Sequence, residues 1–291
     1  MTRTRVLAAL MMAPVAIAAI LLLPTEWMVA LAAVVFLAGL WEWFDLAGIE
    51  DSMARTVLLV ANLGLMVAVV WGSRASTGFS MALLQVATIV GVIWWLLALA
   101  WLGRYRFAAD PTTHARVFKL AAGSLAVIPA WAALAWIHAS EPSGHRWLLA
   151  ALAIVWAADT GAYFVGRKFG KRKLSPQISP NKTIEGMLGG VAAGVIVGVV
   201  FALLAGATAA QLPIVALVAL AAVLFSVIGD LFESLLKRHA GVKDSGHLIP
   251  GHGGILDRID GVLAALPVFA LGKGVLGFCC WQRSTMRASD T

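Results

Sequence analysis

The chain has 291 residues, of which 61% are hydrophobic and 13% are charged, and its formal net charge is +7. Soluble domains contain roughly 45–50% apolar and about 25% charged residues, so this composition excludes an ordinary soluble fold. The positive charge would suggest a nucleic-acid partner in a soluble protein, but membrane topology explains it here, and we predict no nucleic-acid binding.

Long apolar runs recur along the whole sequence and are separated by short polar links. A run of about 18 or more apolar residues predicts a membrane-spanning helix, because only a helix satisfies its own backbone hydrogen bonds in hydrocarbon. We therefore predict an all-α fold, a polytopic integral membrane protein with about nine transmembrane helices. The predicted spans are 6–23, 27–45, 55–72, 80–102, 118–138, 146–166, 186–206, 211–233 and 261–280.

The basic residues give the orientation of these spans. If the N-terminus is cytoplasmic, 17 of the 22 lysines and arginines fall on the cytoplasmic side, as the positive-inside rule requires. The exceptions are Arg74, Arg146, Lys273, Arg283 and Arg287. This distribution predicts a multi-pass protein of the inner (plasma) membrane with its polar loops facing the cytoplasm.

The two halves of the chain differ in character. Residues 1–150 form apolar spans that we interpret as packing scaffold, whereas 151–291 form the predicted catalytic region, with cytoplasmic loops at 166–185 and 234–260. Many tryptophans fall near predicted span ends, where an indole ring suits the lipid headgroups, and we interpret them as an aromatic belt. They are Trp27, Trp41, Trp43, Trp94, Trp95, Trp101, Trp131, Trp136 and Trp147.

Four glycines repeat every fourth residue in the seventh predicted span, namely Gly186, Gly190, Gly194 and Gly198. This spacing places them on one face of a helix, where their small size lets another helix approach closely. We favour a neighbour in the same chain. A second subunit, which would make a homo-oligomer, is the alternative.

Asp159 lies in an otherwise apolar run, 150–165. A carboxylate at that depth is costly unless it is paired or hydrated, so it predicts a polar cavity that binds substrate. The alternative is a buried structural hydrogen bond, with Thr160 or with a lysine from elsewhere.

The loop 166–185 carries six basic residues against one acid. Part of this charge follows from topology or from contact with anionic lipid. Its last part is different, because hydroxyls, an amide and a lysine precede a helix whose N-terminal amides favour an anion. A nucleoside triphosphate would fit there, although the loop lacks the glycine-rich run of a Walker A motif. The predicted substrate-binding residues are Ser179, Asn181, Lys182 and Thr183.

The densest polar segment is 229–261. Asp230 and Asp257 lie at the facing ends of consecutive predicted spans, and two hard oxygen ligands beside a phosphate suit Mg²⁺. Glycines at 253 and 254 let the backbone approach a phosphate. Glu233 follows Asp230 by one helical turn, where it fits either this cluster or a solvated helix end.

The remaining side chains of this segment supply positive charge or support. Lys237 and Arg258 place positive charge beside Asp230 and Asp257, and these four are the predicted catalytic residues. Predicted substrate-binding residues are Arg238, Lys243, His252, Gly253 and Gly254. Asp244 and Asp260 either ligate the metal or hold Lys243 and Arg258 in place, and we favour the supporting role. His252 either binds a phosphate or braces the Gly-Gly turn.

The stretch from Ser234 to Asp260 contains Ser, Lys-Arg, Lys-Asp, His-Gly-Gly and Asp-Arg-x-Asp elements in an order that resembles the phosphatidate cytidylyltransferase (CDP-diacylglycerol synthase) family. The similarity continues through Asp159-Thr-Gly-Ala-Tyr-Phe and Ser179-Pro-Asn-Lys-Thr-Ile-Glu-Gly, but not into the first 150 residues. The resemblance implies transfer of CMP from CTP to phosphatidic acid with release of pyrophosphate. It also implies a requirement for Mg²⁺, and leaves open a monovalent cation at the same site. The expected partners are CTP, phosphatidic acid and membrane lipids.

A secondary transporter and a lipid kinase are the two alternatives to a cytidylyltransferase. A secondary transporter would place ionisable groups near the middle of several spans, whereas here the charges concentrate in two loops. A CTP-dependent kinase acting on a lipid alcohol such as a polyprenol or phytol would need a general base for the hydroxyl and would release CDP. The product of the reaction distinguishes this kinase from a cytidylyltransferase.

Overall fold

The computed structural model describes residues 14–75, 78–79, 81–141, 143–246 and 253–275. Within these ranges the chain forms nine helices joined by short links. They are α1 (14–22), α2 (Thr25–Leu46), α3 (Ser52–Gly72), α4 (Ala82–Leu102), α5 (Thr113–Ala139), α6 (Gly144–Phe169), α7 (Ile184–Leu204), α8 (Leu212–His239) and α9 (Leu256–Val275). A single 3₁₀ turn, Ala209–Gln211, precedes α8.

Two short antiparallel hairpins occur in the links, which the sequence did not predict. Strand β1 (Arg74–Ala75) pairs with β2 (Gly78–Phe79). Strand β3 (Lys173–Ser175) pairs with β4 (Ser179–Thr183), with Lys173 opposite Thr183. Backbone groups in a link have no helical partner, and the ladder of a hairpin satisfies some of them. The second hairpin gives the basic loop a defined shape.

Seven helices, α2 to α8, are long and apolar enough to cross a membrane. The chain is therefore a multi-pass membrane protein, and seven of the predicted spans are confirmed as such helices. The predicted count of nine is not confirmed, because α1 is described only from residue 14 and α9 carries four charged residues. Helix α9 nevertheless runs the length of the bundle. Its Asp257 contacts Lys237 near the end of α8, and its Lys273 ammonium lies 5.8 Å from the ring centroid of Trp147 near the start of α6.

Hydrogen bonds between links define the two ends of the bundle. His239, at the end of α8, donates to the carbonyl of Tyr105 in the α4–α5 link at 2.7 Å. Thr25 and His138 pair at 3.0 Å, which joins the start of α2 to the end of α5. The α4–α5 link and the end of α8 thus share one end, and the α1–α2 and α5–α6 links share the other.

The glycine face of α7 is buried against helices of the same chain, as predicted. A Cβ added at Gly190 would lie 2.7 Å from the carbonyl oxygen of Ala158 on α6. One added at Gly194 would lie 2.5 Å from a methyl group of Val223 on α8. Helices α6, α7 and α8 therefore approach as closely as they do because these positions lack side chains.

The aromatic-belt interpretation is wrong for six of the nine tryptophans, which are buried inside the protein: Trp43, Trp94, Trp95, Trp101, Trp131 and Trp147. Four of them surround Phe232 of α8, with ring centroids 5.2–6.0 Å from its own. The indole N–H of Trp95 donates to the carbonyl of Leu263 at 3.1 Å, so it needs no contact with water or headgroups. The N-terminal helices thus fix the position of α8.

Candidate active site

Three carboxylates meet where the last part of α8 faces the first turn of α9. Asp230 and Glu233 lie one turn apart on α8, Asp260 lies on α9, and oxygens of all three are within 4.8 Å of one another. Helices α8 and α9 can approach this closely because Gly229 of α8 has no side chain that would clash with the backbone of Asp260. Glu233 is only 1% exposed, so its interpretation as a solvated helix-end residue is wrong. This set of hard oxygen donors fits a divalent cation such as Mg²⁺.

Lys237 links this acidic cluster to Asp257. Its ammonium nitrogen lies 2.5 Å from Oε2 of Glu233 and 2.7 Å from Oδ1 of Asp257. The lysine side chain is 11% exposed and the Asp257 side chain 12%, so the ion pairs are largely shielded from water. Lys237 therefore offsets the charge of two carboxylates, and the two predicted metal ligands, Asp230 and Asp257, belong to one connected network.

Asp257 is held by backbone groups as well. Its Oδ2 accepts hydrogen bonds from the amide of Ser245 at 3.1 Å and from that of Gly254 at 2.8 Å. Together with the Lys237 ammonium, these two amides satisfy both oxygens of the Asp257 carboxylate. Gly253, with φ of +80°, provides the turn before the helix.

The β3–β4 hairpin supplies the opposite side of the site. Lys182 of β4 forms an ion pair with Asp230 of α8. Thr183 is buried and caps α7, since its hydroxyl accepts a hydrogen bond from the amide of Gly186 at 3.1 Å. Glu185 accepts hydrogen bonds from the amides of Lys171 and Arg172, which ties the start of the hairpin to α7. The hairpin is thus anchored at both of its ends.

A cavity of about 580 Å³ lies between α6, the hairpin, α7 and α8. One part of its wall is polar and the other part apolar, a combination that suits a ligand with a charged head and an apolar body. The polar part consists of Asp159, Tyr163, Arg167, Ser179, Asn181, Lys182, Thr183, Ser226 and Asp230. The apolar part includes Leu174, Met187, Val223 and Val227. Five residues predicted from the 166–185 loop and α6 therefore line one cavity with Asp230.

Asp159 faces this cavity and its side chain is exposed there. The hydroxyl of its neighbour Thr160 donates instead to the carbonyl of Trp156 at 2.7 Å, within the same helix.

The other predicted site residues are less enclosed. Arg238, Lys243, Asp244 and Arg258 are exposed, and Arg238 donates to the carbonyl of Ile178 in the hairpin at 3.2 Å. Asp260 accepts from the amide of Gly261 at 2.7 Å. His252 lies outside the described residues.

Glu42 of α2 is a site residue that the sequence reasoning missed. It is 3% exposed, and its carboxylate accepts hydrogen bonds from the hydroxyl of Ser245 at 3.0 Å and from the amides of Ile255 at 3.1 Å and Leu256 at 2.8 Å. A signal was available, because Glu42 is a carboxylate inside the predicted span 27–45, and the argument applied to Asp159 holds for it too.

Comparison with known proteins identifies the family of the chain. Residues 3–273 match the model of the cytidylyltransferase family. The phosphatidate cytidylyltransferase of Pseudomonas aeruginosa is 37% identical over 281 residues, which cover 93% of this chain and 96% of the relative. The phosphatidate cytidylyltransferase of Haemophilus influenzae is 37% identical over 285 residues, covering 93% and 98%. That of Bacillus subtilis is 48% identical over 128 residues, covering 43% and 46%. The site therefore stands in a chain that belongs to the cytidylyltransferase family.

Proposed function

We propose that this protein is a phosphatidate cytidylyltransferase, which converts CTP and phosphatidic acid to CDP-diacylglycerol and pyrophosphate. One structural observation carries the proposal. Lysines from two separate elements, Lys182 and Lys237, meet the carboxylates of Asp230, Glu233 and Asp257 beside a cavity with polar and apolar walls. Two relatives that bear this name match 93% of the chain, which supports the same conclusion.

The proposed reaction forms one bond and breaks one. An oxygen of the phosphatidate phosphate attacks the α-phosphorus of CTP, and the bond from that phosphorus to the bridging oxygen of the β-phosphate breaks, so pyrophosphate leaves with the electron pair. A phosphate monoester has a second pKa near 6, so the attacking oxygen is already largely anionic near neutral pH. The reaction therefore needs no general base. It needs two polyanions held together and charge stabilised on the leaving group.

The basic residues supply that charge stabilisation. Lys182 reaches the site from β4, and Lys237 reaches it from α8 with little exposure to water. We propose that Lys237 and Arg258 face the leaving pyrophosphate, and that Ser179 and Asn181 bind the nucleotide phosphates from the hairpin. The apolar wall of the cavity is suited to the part of the lipid next to its phosphate.

We propose Mg²⁺ as the cofactor, with Asp230 and Asp257 as its protein ligands. When bound, Mg²⁺ would neutralise charge on the phosphate oxygens of CTP. Glu233 and Asp260 lie close enough to Asp230 to share in this ligation, whereas both oxygens of Asp257 already accept hydrogen bonds from the protein. Asparagine variants of the three aspartates and Glu233→Gln separate direct ligands from residues that only support them.

We propose nine membrane spans in the inner membrane, with the site facing the cytoplasm. Two observations support this topology. The basic links before α5 and before α7 lie at the end of the bundle where the acidic cluster lies, and α9 runs from that end to the start of α6.

The test is incubation of the purified protein with CTP, phosphatidic acid and Mg²⁺, followed by identification of the products. We expect CDP-diacylglycerol and pyrophosphate. Release of CDP would instead favour a lipid kinase, and absence of any CTP-dependent lipid product would overturn the proposal. Lys182→Met should lose most activity, whereas Lys168→Met is a matched control, because Lys168 is an exposed lysine near the same loop.

A further inference from the structure

Glu42 connects the N-terminal scaffold to the first turn of α9, which carries Asp257 and Asp260. The carboxylate lies on α2, and its Oε2 accepts from the amide of Leu256 at 2.8 Å while its Oε1 accepts from the amide of Ile255 at 3.1 Å. The first amides of a helix have no partner within the helix, so an acceptor from elsewhere must satisfy them. Here that acceptor comes from a residue more than 200 positions earlier in the sequence.

The same carboxylate also fixes the segment that follows α8. The hydroxyl of Ser245 donates a hydrogen bond to Oε2 of Glu42 at 3.0 Å. The same hydroxyl oxygen accepts a hydrogen bond from the amide of Asp257 at 3.3 Å. The amide of Ser245 in turn donates to Oδ2 of Asp257 at 3.1 Å. Glu42, Ser245 and Asp257 therefore form one closed network of hydrogen bonds.

The backbone around Glu42 is shaped to admit it. A Cβ at Gly254 would collide with the Glu42 carboxylate and with the Ser245 hydroxyl, and a Cβ at Gly246 would also collide with the carboxylate. A Cβ at Gly39, one turn earlier on α2, would lie 2.8 Å from Cδ1 of Ile259 on α9. The sequence suggested that Gly254 lets the backbone approach a phosphate. In the structure, Gly254 has no room for a side chain because the backbone passes directly beside Glu42.

A buried carboxylate is costly unless donors surround it. Among the described residues, the partners of Glu42 are neutral N–H and O–H groups, together with the positive end of the α9 dipole. An apolar side chain in the same space would leave the amides of Ile255 and Leu256 without their acceptor. The polar contacts are therefore explained by what they hold in place, which is the start of α9.

We infer that Glu42 is a positioning residue for catalysis. It holds the first turn of α9 so that Asp257 and Asp260 face Asp230 and Glu233 of α8. This inference rests on the proposed function, since it assigns Glu42 a role in building the site that binds Mg²⁺. The described hydrogen bonds of its carboxylate go to protein groups, so Glu42 acts through Asp257 and Asp260.

The test compares Glu42→Gln with Glu50→Gln, which removes an exposed carboxylate from the α2–α3 link at the same end of the bundle. Glutamine keeps the shape of Glu42 but turns a donor toward amides that need an acceptor. We expect Glu42→Gln to raise the Mg²⁺ concentration for half-maximal CMP transfer by roughly 10- to 100-fold, the range typical of groups that support metal ligands. Glu50→Gln should leave it unchanged.

Amide hydrogen exchange supplies a readout that does not depend on activity. In Glu42→Gln, peptides covering 253–260 should exchange faster than in the wild type, while the middle of α8 should keep its protection. A folded Glu42→Gln protein with wild-type exchange in 253–260 and a wild-type Mg²⁺ response would overturn the inference.

A second variant covers the case in which Glu42→Gln does not fold. Ser245→Ala removes only the hydroxyl that joins Glu42 to Asp257, and we expect it to raise the half-maximal Mg²⁺ concentration several-fold. An unchanged Mg²⁺ response in Ser245→Ala would then count against the positioning role. If the wild-type protein transfers no CMP at all, the proposed function fails, while the exchange experiment still decides whether Glu42 holds α9.

Discussion

The buried glycine face of α7 allows a quantitative test with one added methyl group. In Gly190→Ala the new Cβ would lie 2.7 Å from the carbonyl oxygen of Ala158 and 3.1 Å from the Cβ of Ala162, both on α6. The first contact is with backbone, so relief requires the two helices to separate. Such overpacking costs about 1–3 kcal/mol, against a gain of about 1 kcal/mol in helix propensity. We therefore expect a net loss of up to about 2 kcal/mol.

Gly64→Ala is the matched control, because Gly64 lies inside α3 and a Cβ there would meet nothing within 4 Å. The same propensity gain applies to both positions, so the difference between the two variants isolates the packing cost of about 1–3 kcal/mol. Thermal unfolding in detergent measures it, at roughly 2–4 °C per kcal/mol for a chain of this order of size. Gly190→Leu should unfold at a still lower temperature. A melting temperature for Gly190→Ala equal to or above that of Gly64→Ala would refute the packing described for α6 and α7.

Three further predictions concern the site and the topology. Asp230→Asn and Asp257→Asn should each lower the rate of CMP transfer at least about 10²-fold, because the metal loses a charged ligand. This corresponds to a loss of roughly 2.7 kcal/mol of transition-state stabilisation. Rates measured against Mg²⁺ concentration check the prediction. Lys237→Met should destabilise the fold by about 3–5 kcal/mol, because it leaves the buried carboxylate of Glu233 and the largely shielded one of Asp257 without their shared cation. Thermal unfolding measures the loss. Lys171→Cys and Ser143→Cys, in a background without native cysteines, should react with an impermeant thiol reagent from opposite sides of the membrane.

Each of these has an outcome that counts against it. A wild-type rate and Mg²⁺ response in either asparagine variant would remove that aspartate from the metal site, and Asp244→Asn, with a smaller expected loss of about 10- to 100-fold, provides the comparison. An unchanged melting temperature for Lys237→Met would mean that the two carboxylates are satisfied without it. Labelling of both cysteines from outside would contradict the nine-span topology.

Most of the helical architecture could be predicted from the sequence. Helices α2 to α8 follow the apolar runs to within a few residues at most ends, and the glycine spacing identified the close packing of α7. The polar segments carrying Asp230, Asp257 and Lys182 were also identified as candidate sites, because charged residues in an apolar chain are few and conspicuous. The aromatic-belt prediction failed for the buried tryptophans, and the choice between the acidic cluster and a solvated helix end for Glu233 stayed open. A pattern in one helix does not reveal which of its faces a neighbouring helix covers.

The sequence by itself determined the membrane character, the helices and the polar segments, because each depends on residues that are close together in the chain. Hydrogen bonds within a helix and the cost of a charge in hydrocarbon are local quantities. Only the tertiary structure decided which groups meet: Lys182 with Asp230, and Glu42 with Leu256. Those contacts join helices through packing over long separations in sequence. A carboxylate on α2 therefore gives no sign, in its own neighbourhood, that it holds the first turn of α9.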